Sequence, residues 1–266
     1  AKDIEISSFD ETLFTIKNGN TIVPNQNGKY GTGVVIIRDT DPTRNFVGII
    51  RVQVKPKDAV ATPMVSAKQS STVALKADGT VWTWGYNVAG QLGNNSTADS
   101  LIPVQVLGGA TGNQYLTNVV QVAAGGTFDG GNRYYALALR ENGTVWAWGY
   151  NAHGELGIGT AGGDHDHPEQ VLRKENQSDP DSNNVPLTNI VKIAVGAYHN
   201  LALTADGQVY AWGWGIYGSL GDGDTSDHSS TVAMRVVGTG YSNNNTNTYL
   251  GDGNGSDFIV DIGAGG

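Results

Sequence analysis

The side chains best suited to chemistry lie in two short polar clusters. The first, residues 164–169, places His165 and His167 among three carboxylates. Imidazole and carboxylate groups are both ligands for divalent metals, so this cluster is a candidate metal site. The simpler interpretation is a solvated loop before Pro168, because all residues of the stretch except this proline are charged or titratable. We predict the loop and keep the metal site as the alternative.

The second cluster has the spacing that opens a calcium-binding loop. Asp222 and Asp224 are two residues apart, Asp227 follows closely, and a similar series recurs within residues 252–257. A calcium loop is completed by a distant bidentate glutamate, which neither series contains. Turns explain these aspartates without an ion, because Asp next to Gly favours a tight turn. We therefore predict no metal and no cofactor, with calcium at the Asp222 series as the alternative.

No other motif supports catalysis. Residues 157–162 match the Gly-x-Gly-x-x-Gly dinucleotide fingerprint, but that fingerprint must open a helix, and an Asp/His run ending at Pro168 follows instead. The chain has no Cys, no phosphate-binding loop and no nucleophile elbow around a serine. His199 has no readable carboxylate partner, and His153 and His228 fall in predicted loops. The sequence predicts that the chain is not an enzyme.

Composition narrows the class of partner. The net charge is −9 and only 15% of residues are charged, which argues against nucleic acid and anionic membranes, because both attract an excess of Lys and Arg. The chain contains no run of 18 or more apolar residues, so we predict no membrane insertion. Glycine is abundant, at 38 residues. Abundant Gly with short apolar runs is typical of an all-β protein rich in turns.

An internal repeat organises most of the sequence. An aromatic segment at residues 81–87 recurs at 145–151 and again at 209–215, a spacing of 64 residues each time, and all six Trp residues lie in these copies. Asp-Gly or Asn-Gly precedes each copy and predicts a hairpin turn between two strands. Two further apolar runs complete each unit, which gives the four short strands of a propeller blade. A small residue recurs upstream, at Ala74, Ala138 and Ala202, and predicts close packing between blades.

These residues also carry a family resemblance. Ala-Leu, a Gly turn, the aromatic Trp-Gly segment and then Gly-Gln-Leu-Gly at residues 90–93 resemble the regulator-of-chromosome-condensation repeat, and 154–157 and 218–221 match in phase. The resemblance covers about residues 62–266 and implies a β-propeller of the bacterial secreted type. We predict blade units near 62–117, 118–188 and 189–257, with 258–266 opening a fourth. The three units make a partial propeller, and family members usually close a ring of seven blades.

Residues 1–61 lie outside the repeat. Three apolar runs, centred on residues 12–16, 33–38 and 46–54, predict short strands separated by Asn, Asp, Gly and Pro turns. About sixty residues of antiparallel β structure without a helix resemble a small, incomplete bacterial immunoglobulin-like module. The predicted fold class is therefore all-β, a partial β-propeller behind an N-terminal β-sandwich-like module.

The acidic, Cys-free, Gly- and Asn-rich repeats favour a non-enzymatic structural or adhesive protein, extracellular or at the cell surface. Its predicted partner is a protein, either a second copy or a cell-surface partner, because exposed blade edges promote pairing into a fibre or layer. The alternative is a protein-binding propeller module, such as an enzyme inhibitor or a receptor-type recognition domain. The variable loops at 94–100, 158–167 and 222–231 support that alternative, because loops on rigid scaffolds carry recognition sites.

Overall fold

A computed structural model describes most of the chain and is built almost entirely of β-strands. Within the described part of the chain, no helix has the length and hydropathy needed to cross a membrane. The described residues are 4–8, 13–17, 21–25, 31–39, 47–54, 60–68, 70–109, 114–127, 133–176, 182–224, 226–238, 249–251 and 259–265.

The N-terminal segment forms a three-stranded antiparallel sheet and a separate hairpin. The sheet order is β1-β4-β5, and β2 pairs with β3. A small core of Leu13, Phe14, Val35 and Val54 joins the hairpin to the sheet. Gly33 on β4 allows this contact, because a Cβ there would lie 2.3 Å from the Phe14 ring. The strands are β1 Ile4–Ser8, β2 Phe14–Lys17, β3 Thr21–Pro24, β4 Gly31–Asp39 and β5 Val47–Val54.

Three of these strands, β2, β4 and β5, coincide with the three apolar runs of the sequence, whereas β1 and β3 were not predicted. The assignment of the segment as an immunoglobulin-like or sandwich module stays a prediction, because one sheet and one hairpin are common to many small β folds. Residues 55–59 of the predicted linker lie outside the described residues.

The repeat folds as three four-stranded antiparallel sheets, one for each predicted blade. Blade one has the order β6-β7-β8-β9, blade two β10-β11-β12-β13, and blade three β16-β17-β18-β19. The partial propeller predicted from the sequence is therefore confirmed. The strands are β6 Met64–Lys68, β7 Ser71–Leu75, β8 Val81–Gly85, β9 Ser100–Gln105, β10 Val119–Thr127, β11 Arg133–Arg140, β12 Val145–Gly149, β13 His165–Gln170, β14 Leu172–Lys174, β15 Asn184–Pro186, β16 Ile190–Val195, β17 His199–Thr204, β18 Val209–Gly215 and β19 His228–Arg235.

The central hairpin of each blade turns at the predicted glycine. Gly79, Gly143 and Gly207 have φ angles of 78°, 78° and 87°, in the left-handed region where glycine is favoured. In blade one the side chain of Asp78 accepts hydrogen bonds from the Thr80 amide and hydroxyl, at 3.0 and 2.6 Å. Asn142 does the same for Thr144 in blade two. Blades one and two thus share the same side-chain hydrogen bonds at this turn.

The hydrophobic core lies between blades rather than within one blade. One buried cluster combines residues of blade one, such as Val73 and Val81, with Val122, Ala138 and Trp148 of blade two. A second cluster combines Leu137 and Leu156 of blade two with Ile193, Ala202 and Trp212 of blade three. Ala138 and Ala202, two of the recurring small residues, are fully buried in these clusters. Each blade therefore depends on its neighbours for burial, as in other repeat architectures.

Two features extend the three blades. The connection after blade two contains the hairpin β14–β15, which adds to the outer edge of β19 through a parallel contact between Arg173 and Ala233. Residues 259–265, predicted to open a fourth unit, lie against the inner strand of blade three: a Cβ on Gly196 would be 2.5 Å from the Gly265 carbonyl oxygen. They are in no ladder with a described strand.

Candidate protein-binding surfaces

A tryptophan hydrogen bond connects each blade to the next. The indole Nε1 of Trp148 in blade two donates to the carbonyl oxygen of Gln91 in blade one, at 2.9 Å. Trp212 in blade three donates to the carbonyl oxygen of Glu155 in blade two, at 3.0 Å. Both acceptors lie in the Gly-x-Leu-Gly segment after the aromatic strand. The predicted motif is therefore the acceptor half of a contact repeated between blades.

The last glycine of that segment makes room for the tryptophan ring. A Cβ on Gly93 would lie 2.9 Å from Cδ1 of Trp148, and one on Gly157 would lie 2.7 Å from Cδ1 of Trp212. Both glycines also have positive φ angles, of 63° and 67°. Glycine is required here twice, for backbone conformation and for the close approach of the ring.

A main-chain hydrogen bond repeats at the outer edge. The amide of Asn95 donates to the Asp166 carbonyl oxygen, at 2.9 Å, and the amide of Gly159 donates to the Thr231 carbonyl oxygen, at 2.8 Å. In each case the loop after the third strand of one blade reaches the fourth strand of the next. The loops of successive blades therefore interlock on one side of the propeller.

Blade one carries the tryptophan and the outer strand that the later blades use in these contacts, and no described blade lies in front of it. Val65 is 66% exposed, whereas its counterparts Val122 and Ile193 are 1% exposed. Trp84 is half-buried, although Trp148 and Trp212 are fully buried. On β9, Leu101 is 99% and Ile102 70% exposed. We call Val65, Trp84, Leu101 and Ile102 the open face of blade one. Such an apolar patch is typical of a protein-binding surface.

Blade three presents the other half of the contact, the segment whose carbonyl oxygen accepts the tryptophan hydrogen bond in the earlier blades. Ser219, Gly221 and Gly223 occupy the positions that Gln91, Gly93 and Asn95 hold in blade one, and we call these three residues the acceptor edge of blade three. The three heavy atoms nearest to a Cβ on Gly221 all belong to Val236 of the same blade, at 3.0 to 3.9 Å, where the earlier blades also have a tryptophan ring. Among the described residues, no tryptophan ring is one of these nearest neighbours of Gly221.

The predicted metal candidates of the first cluster lie on a strand and not in a loop. His165 and His167 belong to β13, which pairs with β12 through Gly149 and His165, so the loop prediction for these residues was wrong. These polar residues form a strand because they pair with β12 of the same blade. Tertiary contacts of this kind outweigh the low strand propensity of a polar sequence. His165 Nδ1 contacts Glu169 Oε1, and His167 Nδ1 lies 2.8 Å from Asp166 Oδ1.

The aspartates of the second cluster surround a histidine. His228 Nε2 lies 2.7 Å from Asp222 Oδ2, and its Nδ1 lies 2.9 Å from the Ser226 carbonyl oxygen. The Ser226 carbonyl and the Asp222 carboxylate raise the pKa of His228, because both ring nitrogens face acceptors and both donate only when the ring is protonated. Asp224 Oδ1 accepts from Ser226, and Asp227 Oδ1 accepts from the Tyr217 amide at 3.0 Å.

The expectation that these residues bind no metal stays a prediction. Among the residues that the structure describes, no group of three or more His, Asp and Glu side chains is placed to hold a metal ion. Asp252, Asn254 and Asp257, the repeated calcium-like series, lie outside the described residues.

Two polar or aromatic groupings were missed by sequence reasoning. His153 of blade two stacks on Trp214 of blade three, with ring centroids 4.2 Å apart, and Tyr198 meets the same indole edge-on at 5.0 Å. Between these blades Tyr135 is fully buried, and burial, followed by the charge of Glu155, raises the pKa of its hydroxyl. The signal for the first grouping was the change from Tyr to Trp at the 214 position of the repeat. The spacing of residues in the sequence gives no indication of the second grouping, the buried Tyr135 near Glu155.

His199 is half-buried next to the turn at residues 196–199. Burial lowers its pKa, because the charged imidazolium loses hydration. No reacting group adjoins it among the described contacts. It is therefore a packing residue beside the 196–199 turn.

Comparison with known proteins agrees with the repeat. The family described as the Regulator of chromosome condensation (RCC1) repeat matches residues 78–128, 142–203 and 206–234, slightly more than half of the chain. A second family pattern of the same name matches residues 119–155 and 190–219.

Individual relatives share the repeat over part of their length. The chain is 28% identical over 211 residues to the Ultraviolet-B receptor UVR8 of Arabidopsis thaliana, covering 79% of this chain and 40% of that protein. It is 34% identical over 164 residues to the E3 ubiquitin-protein ligase HERC2 of Homo sapiens, covering 62% of this chain and 3% of that protein. The chain thus spans well under half the length of these curated relatives.

A solved structure of Kap60 bound to yeast RCC1 (Prp20) has a TM-score of 0.50 to this chain at 17% identity, covering 92% of this chain and 56% of that one. A likeness at this identity supports the fold alone. Together with the in-phase motifs and the interblade contacts, the family match identifies the chain as a member of the regulator-of-chromosome-condensation repeat family.

Proposed function

We propose that this chain is a non-enzymatic, protein-binding propeller arc with a structural or adhesive role, extracellular or at the cell surface, and that it assembles through the open face of blade one. The observation that carries the proposal is the exposure of Leu101 and Ile102, at 99% and 70%. The corresponding outer-strand positions of blade three include Val232, which is 5% exposed. In blade three the preceding blade therefore covers the position that Ile102 holds in blade one.

Three further points support protein binding. The face is apolar and carries an indole, and aromatic and aliphatic anchors dominate the energy of protein interfaces. The outer edge of β9 belongs to the last strand of its sheet, and such edges accept further strands or loops. The relatives include a receptor, the Ultraviolet-B receptor UVR8. The extracellular assignment rests on the acidic, Cys-free, Gly-rich composition alone.

The experiment is light scattering over a concentration series of the wild type and Leu101→Asp. We expect the wild-type mass to rise with concentration and negative-stain images to show rods or rings. We expect Leu101→Asp to remain monomeric, because a carboxylate in an apolar interface is costly to desolvate. Ala161→Asp, at an exposed loop position of blade two, is the charge-matched control and should behave as the wild type. A wild type that stays monomeric at every concentration would overturn the assembly.

The second candidate is recognition of a different soluble protein by the loop side of the propeller. The observation in its favour is the side-chain chemistry there: Tyr217 is 96% exposed, next to the His153–Trp214 stack and the Asp222 cluster. A compact monomer that binds a protein tightly, and loses the binding in Tyr217→Ala but not in Leu101→Asp, would favour this function.

A further inference from the structure

We propose that Glu155, buried between blade two and blade three, carries its proton in the folded protein at neutral pH, and that loss of this proton weakens the interface between the two blades. The effect lies inside the propeller arc and is independent of the self-association proposed above. Two internal interfaces of the chain share one construction and differ in this acid, so the interface between blades one and two serves as the reference.

Both interfaces are built around the Gly-x-Leu-Gly segment. Gln91 and Glu155 hold the same position in it, and the two residues are only 3% and 1% exposed. Gln91 Oε1 accepts a hydrogen bond from the Ala89 amide at 2.8 Å. In the same way, Glu155 Oε2 accepts one from the His153 amide at 2.7 Å. The repeat thus places an acid where the earlier interface has a neutral amide.

Blade three covers the acid. The indole of Trp212 and the side-chain amide of Asn200 both donate to the main-chain carbonyl oxygen of Glu155, at 3.0 and 2.7 Å. Trp212 and Asn200 are themselves fully buried. A carboxyl group with so little access to solvent loses the hydration that stabilises its charged form, so burial favours the protonated acid.

The titratable side chains around Glu155 come from both blades. Tyr135 on β11 is fully buried, and burial first, then the nearby carboxylate when it is ionised, raise the pKa of the Tyr135 hydroxyl. The main-chain oxygen of His199 on β17 accepts from that hydroxyl at 3.5 Å. His153, in the same loop as Glu155, stacks on Trp214. A neutral hydroxyl does not offset a carboxylate charge, whereas protonation of Glu155 removes the cost of burying it.

Blade three also supplies an acceptor for the proton. The Oδ1 atom of Asn200 is buried and accepts no hydrogen bond from the described donors. Because Nδ2 of the same amide lies 2.7 Å from the Glu155 carbonyl oxygen, the amide group packs against this residue. A protonated carboxyl offers an O–H donor, whereas a carboxylate adds only acceptors. Blade two has Ala136 at the position of Asn200, so the acid and the amide occur together in one interface.

Ionisation should therefore lower the stability of the fold as pH rises. In the unfolded chain a hydrated glutamate ionises at about pH 4.3. In the folded protein Glu155 keeps its proton to higher pH. Its contribution to stability is then fully present below the unfolded pKa and is lost as pH rises from there through the folded pKa. Glutamine at this position removes that dependence.

Thermal unfolding of the wild type and Glu155→Gln over about pH 5 to about pH 8 tests this. We expect melting temperatures within about 2 °C of each other at the acidic end and a variant more stable by about 4–8 °C at the alkaline end. The histidines titrate in both proteins, so the difference isolates Glu155. Glu175→Gln, the same change at an exposed site, should follow the wild type throughout.

Two indole hydrogens give a second measurement in the wild type. Trp212 donates to Glu155 and Trp148 donates to Gln91, so the two indoles report on the acid interface and on the amide interface. In proton–nitrogen NMR spectra we expect hydrogen exchange of the Trp212 indole to accelerate with pH about tenfold more than that of Trp148. The extra acceleration should disappear in Glu155→Gln.

Parallel melting profiles of the wild type and Glu155→Gln would overturn the proposal. A variant less stable than the wild type at the alkaline end would also overturn it, because an ionised carboxylate would then hold the blades together. Diverging profiles with equal acceleration of both indoles would overturn the assignment to this interface. If Glu155→Gln does not fold, the wild-type indoles decide, since equal acceleration contradicts the proposal and a faster Trp212 supports it.

Discussion

Trp212 donates its indole hydrogen to the carbonyl oxygen of Glu155, 57 residues earlier, and the same separation joins Trp148 to Gln91. This contact ties the aromatic strand of one blade to the Gly-x-Leu-Gly segment of the previous one. The two most specific motifs of the repeat are therefore the two halves of a single interface. Trp84 of blade one and Ser219 of blade three hold the equivalent positions in the two outer blades.

The first prediction concerns the same substitution at three equivalent positions. Trp212→Phe and Trp148→Phe should each lower the free energy of unfolding by about 1–3 kcal/mol, because each removes a buried hydrogen bond and leaves a cavity. Trp84→Phe should cost less than about 0.5 kcal/mol in the monomer, since Trp84 is only half-buried. Urea denaturation at low protein concentration measures all three.

Trp84→Phe should nevertheless weaken self-association, which separates a folding role from a binding role. Equal destabilisation at the three positions would mean that another part of the chain already covers Trp84. That result would contradict an open face on blade one.

The second prediction compares two glycines with similar backbone conformation. Gly157→Ala and Gly221→Ala share the cost of a positive φ, at 67° and 62°. Only Gly157 adjoins a tryptophan ring, 2.7 Å from its Cβ position. Gly157→Ala should therefore be less stable than Gly221→Ala by about 1–3 kcal/mol, the usual cost of overpacking. Thermal unfolding of the two variants compares them, and equal stability would exclude the tight ring contact.

The third prediction is that two histidines titrate on opposite sides of the ordinary value. His228 should titrate above it, because the Ser226 carbonyl and Asp222 favour the charged ring, and His199 below it, because burial disfavours the charged ring. Proton–carbon NMR spectra of the ring resonances, assigned with His228→Gln and His199→Gln, measure both. The reverse order would contradict the geometry around Asp222.

These two pKa shifts make the stability of the fold depend on pH in opposite directions. The contribution of His228 is fully present below its unfolded pKa and is lost as pH rises through its higher folded pKa. Because His228 is partly exposed, the effect is well under about 1 kcal/mol. The contribution of half-buried, neutral His199 is present above its unfolded pKa and is lost as pH falls through its lower folded pKa.

The fourth prediction concerns calcium. The carboxylates of Asp222, Asp224 and Asp227 already accept hydrogen bonds from His228 or from main-chain amides within the loop. Calcium prefers six to eight oxygen ligands, more than these three side chains supply. Calcium should therefore leave the melting temperature unchanged, and magnesium serves as the control. A rise with calcium alone that disappears in Asp222→Asn would contradict this prediction.

Sequence reasoning recovered the repeat because its signals are local. Gly79, Gly143 and Gly207 mark hairpin turns, and the aromatic segments mark the third strands. The recurring small residues Ala138 and Ala202 also predicted close packing between blades, and both lie in the buried clusters between blades. Motifs that recur in phase report on tertiary contacts as well as on turns, because each repeat meets the same neighbour.

Other features depended on contacts that a sequence does not display. His165 and His167 lie on a strand because β12 imposes the pairing, and no residue pattern announces it. The β14–β15 hairpin joins blade three from the connection after blade two. The open face was visible only through exposure, since Val65 and Leu101 look like core residues in the sequence.

Amide hydrogen–deuterium exchange at low and high protein concentration tests the central claim most directly. The account predicts that amides of β6 and β9 on blade one become protected as concentration rises, while amides of β13, already covered by the loop of blade one, do not change. Exchange at β9 that is independent of concentration, in a sample whose mass increases, would contradict assembly through the open face of blade one.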